Sequence, residues 1–247
     1  MKNIENEMSY ATVPPEEHSS LFSAAYWKSA AREFKSIKQI TAASLLVALG
    51  IVIGMFDVRI IPNVLQVSFS YIAFSICSFI TGPLMAIPCG IIADLVDALW
   101  HGYDLFFGYT LSAVAQGVVF ALFFYRRDIS LTRIVAAKAC VNLFVNILLG
   151  SVWRLMMMGG EYFYYVFLAG LKNIILLPFE VMILVIFLRA LIVPLRKLKM
   201  IPSTTVLKID RTEIILTCVL LVVGTVLAAL YFGNYAEINA YVKNLFV

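Results

Sequence analysis

The stretch Val141-Asn142-Leu143-Phe144-Val145-Asn146-Ile147-Leu148-Leu149-Gly150-Ser151-Val152-Trp153-Arg154 places two asparagines and an arginine in apolar sequence long enough to belong to a membrane-spanning helix. Leu171-Lys172-Asn173 adds a lysine and a third asparagine to the next apolar stretch. Polar groups are costly in hydrocarbon, so they normally face a protein interior or a water-filled cavity. Asn142 and Asn146 share one helix face, and in a regular α-helix Arg154 falls within about 60° of Asn142. This pattern predicts a polar lining for a small-molecule site.

The amino-acid composition identifies an integral membrane protein. Of the 247 residues, 62% are hydrophobic and 14% are charged, whereas soluble proteins carry about 25% charged residues. The net charge of +4 is too small and too scattered to indicate nucleic-acid binding, and basic loops on the cytoplasmic side of a membrane explain it better. The four cysteines lie in apolar runs without CxxC spacing, which predicts neither disulfides nor a metal site.

Seven apolar stretches approach or exceed the roughly 20 residues that a helix needs to cross a bilayer. They cover approximately 37–56, 64–81, 83–99, 108–125, 131–157, 163–192 and 213–232. They predict an all-α integral membrane protein. We expect a cytoplasmic tail with an amphipathic juxtamembrane helix over 1–36, a membrane domain over 37–195, a basic cytoplasmic linker over 196–212, and an additional transmembrane helix with an outer tail over 213–247. For the juxtamembrane helix, a solvated tail is the alternative.

The distribution of cations predicts the orientation. Basic residues precede the first span, separate the fourth from the fifth, and surround the gap between the sixth and seventh: Arg32, Lys35, Lys38, Arg126, Arg127, Arg133, Arg189, Arg196, Lys197, Lys199, Lys208 and Arg211. Cytoplasmic loops of membrane proteins carry an excess of Lys and Arg. We therefore expect a multi-pass protein whose N-terminus is cytoplasmic.

With this orientation, the helical rise of about 1.5 Å per residue places most polar groups in the outer half of the membrane. These groups are Asp94, Asp97, Asn146, Arg154, Lys172 and Asn173. Aromatic residues near that level are available to stack on a ligand, although the interfacial aromatic belt is the commoner role for any one of them: Tyr71, Trp100, Tyr103, Tyr109, Trp153, Tyr162 and Tyr164. Lys138 and Glu180 fall in the inner half and are predicted to form a structural ion pair, because buried charges rarely stay unpaired.

The sequence offers little support for catalysis. The two histidines, His18 and His101, form neither an HExxH zinc motif nor a convincing serine–histidine pair. No GxxxxGK[ST] phosphate loop is present, so the chain is not expected to hydrolyse ATP itself. We predict no catalytic residue, metal or cofactor. Ser44 and Ala48 form a small-xxx-small pair on the first span, which lets another helix approach closely, either within the bundle or from a partner.

Several stretches together resemble the folate-specific S components, which are the substrate-binding membrane subunits of energy-coupling factor (ECF) vitamin transporters. The similar pieces occur in order through roughly residues 30 to 195: Glu33-Phe34-Lys35-Ser36, Leu45-Leu46-Val47-Ala48-Leu49, Ala93-Asp94-Leu95, Gly108-Tyr109-Thr110-Leu111-Ser112-Ala113, Lys138, Val141-Asn142-Leu143-Phe144-Val145-Asn146, Lys172-Asn173-Ile174 and Pro178-Phe179-Glu180. Two features depart from the family pattern. The loop 101–107 lacks the expected proline, and the span 213–232 is extra to a six-helix core.

The resemblance implies a six-helix bundle in a bacterial cell membrane that captures a vitamin, most simply folate, from outside with high affinity. The S component would then dock on a membrane T protein and two ATPase subunits and topple within the membrane to release the vitamin inside. The partners' ATP would supply the energy. Ser44 and Ala48 would lie at the contact with the T protein.

The hypothesis for the binding site follows from the chemistry of folate. Its residues are Asp94, Tyr109, Asn142, Asn146, Trp153, Arg154, Lys172 and Asn173. Asp94 and the asparagines would bond the pterin ring, aromatic faces would stack on it, and Arg154 and Lys172 would pair with the two carboxylates of the glutamate tail. Snorkelling of Arg154 to lipid headgroups is the alternative for that residue. The rival functions are an S component for riboflavin or a thiamine-type vitamin, an intramembrane enzyme and a structural scaffold.

Overall fold

The computed structural model describes residues 24–56, 58–61, 65–102, 105–201, 205, 207–208, 211–234, 237 and 240. The helices are α1 (Ala24–Glu33), α2 (Ile37–Gly54), α3 (Tyr71–His101), α4 (Phe107–Phe124), α5 (Leu131–Cys140), α6 (Gly150–Met158), α7 (Tyr162–Lys197) and α8 (Arg211–Gly233). A π-helical segment, Val141–Leu149, joins α5 to α6 without a break. Short strands lie at β1 (Val58–Ile61), β2 (Leu65–Val67), β3 (Ile129–Ser130) and β4 (Leu207–Lys208).

The described helices make the chain a multi-pass membrane protein. By length and composition, α2, α3, α4, the continuous rod 131–158 and α7 could each cross a bilayer. The 23 residues of α8 rise about 34 Å, which also exceeds the roughly 30 Å of hydrocarbon in a typical bilayer. The all-α class expected from the sequence is confirmed.

Helix α3 consists of two arms that meet at Gly82. Gly82 has φ +81° and ψ −179°, a conformation that L side chains rarely adopt. The Sγ atoms of Cys77 and Cys89, one on each arm, lie 3.8 Å apart, whereas twelve residues of straight helix would separate them by about 18 Å. The arms 71–81 and 83–101 therefore form an antiparallel hairpin, and counting them separately yields a six-helix core with α8 as a seventh helix.

The second span is shorter than the apolar stretch 64–81 suggested. Residues 65–67 form β2, which pairs antiparallel with β1 so that Val67 opposes Val58. Apolar Leu65, Val67 and Phe69 alternate with polar residues at 66, 68 and 70. This period of two is typical of a strand, and it outweighs the overall hydropathy of the stretch.

The fifth span differs from the regular α-helix that the sequence argument assumed. Over nine residues, Val141–Leu149, its backbone is π-helical. The hydrogen bonds of a π-helix run from residue i to i+5, so each turn contains more residues than an α-turn. The angle between Asn142 and Arg154 calculated for an α-helix is therefore wrong for this chain.

Helix α1 packs against the bundle. Tyr26 and Ala30 are fully buried, and the Tyr26 ring meets that of Tyr125 edge-on at 5.6 Å between centroids. Glu33 Oε1 accepts hydrogen bonds from Tyr125 Oη at 3.0 Å and Arg126 Nη2 at 3.4 Å. Burial raises the pKa of Tyr26 to about 12 despite the lowering effect of nearby Arg127. Residues 1–23 of the expected tail lie outside the described residues.

Residues after α7 contact the same end of the bundle, and we call the described residues 198–201, 205 and 207–208 the strap. Lys38 Nζ donates to the carbonyl oxygen of Leu198, and Gln39 Nε2 donates to that of Met200 at 3.3 Å. Ile201 is buried in the main core, and β4 pairs in parallel with β3. The strap therefore contacts both the start of α2 and β3, which precedes α5.

Glycines determine how closely the central helices approach. A Cβ atom on Gly90, in the second arm of α3, would lie 2.9 Å from the backbone N and Cα of Val114 in α4, whereas a Cβ on Gly170 in α7 would meet nothing within 4 Å. Backbone atoms cannot move aside as a flexible side chain can. Small residues at such positions let membrane helices pack closely.

We therefore expect Gly90→Ala to destabilise the protein by about 1–3 kcal/mol, the usual range for overpacking. Gly170→Ala is the matched control, with an expected change of less than about 0.5 kcal/mol. Thermal unfolding of both variants in detergent tests this. Equal melting temperatures for the two variants would contradict the close α3–α4 contact.

Candidate functional site

A buried ion pair anchors the polar residues of the bundle. Lys138 Nζ lies 3.0 Å from Glu180 Oε1, and the Lys138 side chain is 2% exposed. The same ammonium group lies 4.0 Å from the centre of the Tyr71 ring, and Tyr71 Oη donates to the Glu180 backbone carbonyl at 3.1 Å. Burying a charge is costly unless it is paired and hydrogen-bonded. Tyr71 is thus part of this internal contact.

The second carboxylate oxygen of Glu180 extends the contact into a chain of amides. Asn142 Nδ2 donates to Glu180 Oε2 at 2.9 Å and to the backbone carbonyl of Asn173 at 3.5 Å. Asn146 Nδ2 donates to Asn142 Oδ1 at 2.9 Å and to Asn173 Oδ1 at 3.4 Å. Asn173 Nδ2 donates to Ala169 O at 2.8 Å. We call Lys138, Glu180, Asn142, Asn146 and Asn173 the amide network.

The amide network has one free acceptor on a partly exposed side chain. Asn142 and Asn173 are each 4% exposed, and both are engaged through their amide nitrogen and oxygen atoms. Asn146 is only partly buried, and its Oδ1 meets no hydrogen-bond donor among the described residues. Asn146 is therefore the member placed to contact a ligand, whereas Asn142 and Asn173 orient it.

Irregular backbone on both facing helices accompanies this network. Asn142 and Asn146 lie in the π-helical segment, and Pro178 lies between Asn173 and Glu180 on α7. Proline lacks the N–H that would bond to the preceding turn, and π-turns also depart from the α-helical hydrogen-bond pattern. At membrane depth such departures are tolerated where they are buried in protein or line a cavity.

A second group of side chains gathers around the first two turns of α4. Thr110 Oγ1 donates to Asp94 Oδ2 at 2.5 Å, and Trp153 Nε1 donates to Ser112 Oγ at 2.9 Å. The Phe106 ring packs edge-on against Tyr109 and Trp153, with centroid distances of 5.5 and 5.6 Å. This aromatic and hydroxyl group, which we call the α4 cluster, joins three residues expected at the site: Asp94, Tyr109 and Trp153.

Gly108 is required for the aromatic packing in the α4 cluster. A Cβ atom there would lie 2.3 Å from Phe106 Cε1 and 2.6 Å from Trp153 Cδ2. Sequence reasoning did not single out Phe106, Thr110 or Ser112 as site residues. Hydroxyl and aromatic residues are ordinary in a membrane helix, so only their three-dimensional partners distinguish them.

Two cations are next in sequence to members of these groups: Arg154 follows Trp153 of the α4 cluster, and Lys172 precedes Asn173 of the amide network. Arg154 is within electrostatic range of Tyr109 and Tyr165, and Lys172 is within range of Arg154, Glu180 and Lys138. None of the ion pairs within the described part of the chain provides a carboxylate for Arg154. Cations so placed are suited to an anionic ligand.

Other residues considered from the sequence lie elsewhere. Ser44 and Ala48 are exposed on α2. Trp100 is 65% exposed, Asp97 lies near Gly54 at the end of α2, and Tyr162 Oη donates to Leu148 O at 3.4 Å. Tyr164 packs against Tyr165, and Tyr103 lies outside the described residues. In the described part of the chain, no three His, Cys, Asp or Glu side chains are grouped to hold a metal.

The Lys138–Glu180 pair yields a stability prediction. Glu180→Gln leaves the Lys138 ammonium buried without its counter-charge, which is expected to cost about 3–5 kcal/mol. Glu33→Gln in the more exposed pair with Arg126 is the control, with an expected cost of less than about 1 kcal/mol. Thermal unfolding in detergent measures both, and a smaller loss for Glu180→Gln than for Glu33→Gln would contradict the anchoring role of the pair.

Comparisons with known proteins link the chain to one named family. No family model matches the chain. It is 31% identical over 151 residues, 58% of this chain and 80% of the relative, to the folate transporter FolT of Leuconostoc mesenteroides subsp. mesenteroides. It is 25% identical over 126 residues, 51% of this chain and 73% of the relative, to FolT of Clostridium novyi. A crystal structure of FolT bound with folic acid superposes with a TM-score of 0.55 at 27% identity, covering 60% of this chain and 91% of the other.

These relatives are transporters, and both the sequence match and the structural match support the same membership. A match at 31% identity over 80% of a relative's length extends well beyond a single motif. The structural match accounts for nearly all of the other chain. The protein is therefore a transporter and not an enzyme. The chain belongs to the FolT family of folate transporters, the folate-specific S components to which its sequence resemblance pointed.

Proposed function

We propose that this protein captures folate with high affinity from outside the cell and delivers it inward as the S component of an ATP-driven ECF transporter. The observation that carries the proposal is the pairing of an amide network with an aromatic and carboxylate cluster, each with a cation next to it in sequence, Lys172 and Arg154. Folate has a flat ring with hydrogen-bonding edges at one end and two carboxylates at the other. The arrangement offers aromatic and amide partners for the ring and two cations for the carboxylates.

The proposed binding mode assigns the two ends of folate to different helices. The pterin ring lies near the start of α4, where Asp94 accepts from its N–H groups and the rings of Tyr109 and Trp153 contact its face. Asn146 Oδ1 accepts a further hydrogen bond, with Asn142 and Asn173 holding its side chain in place. Arg154 and Lys172 pair with the carboxylates of the glutamate tail, Arg154 in a bidentate geometry.

The proposed orientation places the N-terminus in the cytoplasm of a bacterial cell. The exposed cations near α1, the start of α2 and the end of α7 lie on the side crossed by the strap, consistent with a cytoplasmic surface. The site then opens toward the outside. The proposed domains are the tail with its juxtamembrane helix (1–36), the substrate-binding core (37–195), the basic linker (196–212) and the added helix with its outer tail (213–247).

The proposed partners are the ECF T protein and two ATPase subunits, which would supply the energy. Ser44 and Ala48 lie on an exposed face of α2, where small side chains would allow a partner helix to approach closely. Helix α8 packs against α7, where Gly224 meets Pro178 and Phe179. It leaves the face with Ser44 and Ala48 uncovered, so the seventh helix does not obstruct this proposed contact.

Isothermal titration of the purified protein, stripped of bound ligand, tests the substrate. We expect tight one-to-one binding of folate without ATP and no comparable binding of riboflavin, because riboflavin lacks the two carboxylates for Arg154 and Lys172. Binding of riboflavin or thiamine in place of folate would reassign the vitamin. Binding of none of them would contradict the proposed function.

Arg154→Ala tests the assignment of the tail. Losing a charge-assisted contact is expected to weaken folate binding about tenfold or more, while a pterin without the glutamate tail binds as it does to the unmodified protein. Arg189→Ala, at an exposed cation on α7 far along the helix from Lys172, is the control and should leave both affinities unchanged. Equal losses for both ligands with Arg154→Ala would reject the tail contact, as would no loss for either.

A further inference from the structure

Two hydroxyl residues in the first two turns of α4 form hydrogen bonds to two side chains of the proposed site, Asp94 and Trp153, on different sides of the helix. Thr110 and Ser112 are two residues apart, so their side chains point about 200° apart around the helix. Thr110 reaches α3, where its hydroxyl donates to Asp94 Oδ2 at 2.5 Å. Ser112 reaches α6, where its hydroxyl oxygen accepts from Trp153 Nε1 at 2.9 Å.

We propose that Thr110 and Ser112 are positioning residues for the ring of the bound vitamin. Thr110 fixes the carboxylate of Asp94 that bonds the edge of the ring, and Ser112 fixes the indole of Trp153 that contacts its face. The inference rests on the proposed folate function and names the residues that orient its two ring contacts, Asp94 and Trp153.

The carboxylate of Asp94 needs such a partner because its terminal torsion is broad and intrinsically unrestrained. A carboxylate has about four lone-pair sites on two oxygens. The Thr110 hydroxyl occupies one site on Oδ2 and defines the plane of the group, which leaves Oδ1 for neighbouring N–H donors of a ligand. The 2.5 Å separation lies at the short end for a hydroxyl bonded to a carboxylate, as expected for a charge-assisted bond.

The indole of Trp153 is restrained on two sides. Its N–H is satisfied by Ser112, and its ring is held edge-on by Phe106 across the space that Gly108 leaves open. A buried tryptophan generally needs a partner for its N–H. Because the hydrogen bond selects one ring orientation, the exposed part of the aromatic face is presented in a constant direction.

A purely structural role, in which these bonds only hold α3, α4 and α6 together, makes a different prediction. It would lower the stability of the protein without a matching change in the affinity for the ring. The hydroxyl of Thr110 can be removed at nearly constant volume by Thr110→Val, and Thr110→Ser keeps the hydroxyl with a smaller side chain. These two variants therefore separate hydrogen bonding from packing.

The experiment measures the affinity of each variant for folate and for a pterin without the glutamate tail. Thr110→Val is expected to weaken both ligands about tenfold, whereas Thr110→Ser should stay within about threefold of the unmodified protein. Asp94→Asn is combined with Thr110→Val in a double-mutant cycle. If Thr110 acts through Asp94, the double variant binds no more weakly than Asp94→Asn alone.

Ser112→Ala provides the second measurement and should likewise weaken both ligands, with Ser112→Thr restoring binding. If Thr110→Val fails to fold, as judged by thermal unfolding, Thr110→Ala replaces it. An unmodified protein that binds no folate would refute the proposed function itself. An unmodified protein that binds folate, together with full affinity in both Thr110→Val and Ser112→Ala, would overturn only this inference. Additive losses in the cycle, or failure of Thr110→Ser to retain binding, would also overturn it.

Discussion

The pairing of Lys138 with Glu180 is the interaction on which the interior of this protein depends. A lone charge at this depth would be prohibitively costly, so α5 and α7 must keep the register that holds the two groups 3.0 Å apart. The pair also determines the direction of hydrogen bonding. Because Glu180 accepts from Asn142, the carbonyl of Asn142 is left to accept from Asn146, whose own carbonyl then remains available. The Lys138–Glu180 ion pair thus orients Asn146, the candidate ligand contact, through Asn142.

Several helices of the core also depart from regular α-helical geometry. The reversal at Gly82, the π-helical segment and Pro178 each depart from regular α-helix. Lipid-exposed segments must satisfy their backbone groups internally, and these departures occur on helices packed within the bundle. The reversal at Gly82 allows two arms of α3 to pack side by side. In the π-helical segment, Asn142 and Asn146 both donate to Asn173 on α7.

The segments that precede and follow the core in the sequence pack against it. Tyr26 and Glu33 fasten α1 to Tyr125 and Arg126, and the strap bonds to Lys38 and Gln39 at the start of α2. Helix α8 approaches α7 at Gly224, beside Pro178. These additions stabilise one end and one side of the bundle, while the exposed face of α2 with Ser44 and Ala48 is left available. A core with accessory elements on separate surfaces is compatible with docking on a larger assembly.

The all-α membrane class was determined by the sequence alone, because it depends on local hydropathy. The polar residues Asp94, Asn146, Arg154 and Lys172 could be selected from the sequence as candidates for a site, because polar groups are costly in hydrocarbon. Tertiary structure decided which of them meet. The π-helical backbone changed which side chains share a face of the fifth span. Residues 65–67 form a strand paired with β1 instead of the start of a helix. Thr110, Ser112 and Phe106 are distinguished only by their contacts with residues elsewhere in the chain. Such contacts depend on how helices cross and where glycine allows close approach, and neither property is encoded in the local pattern of any single span.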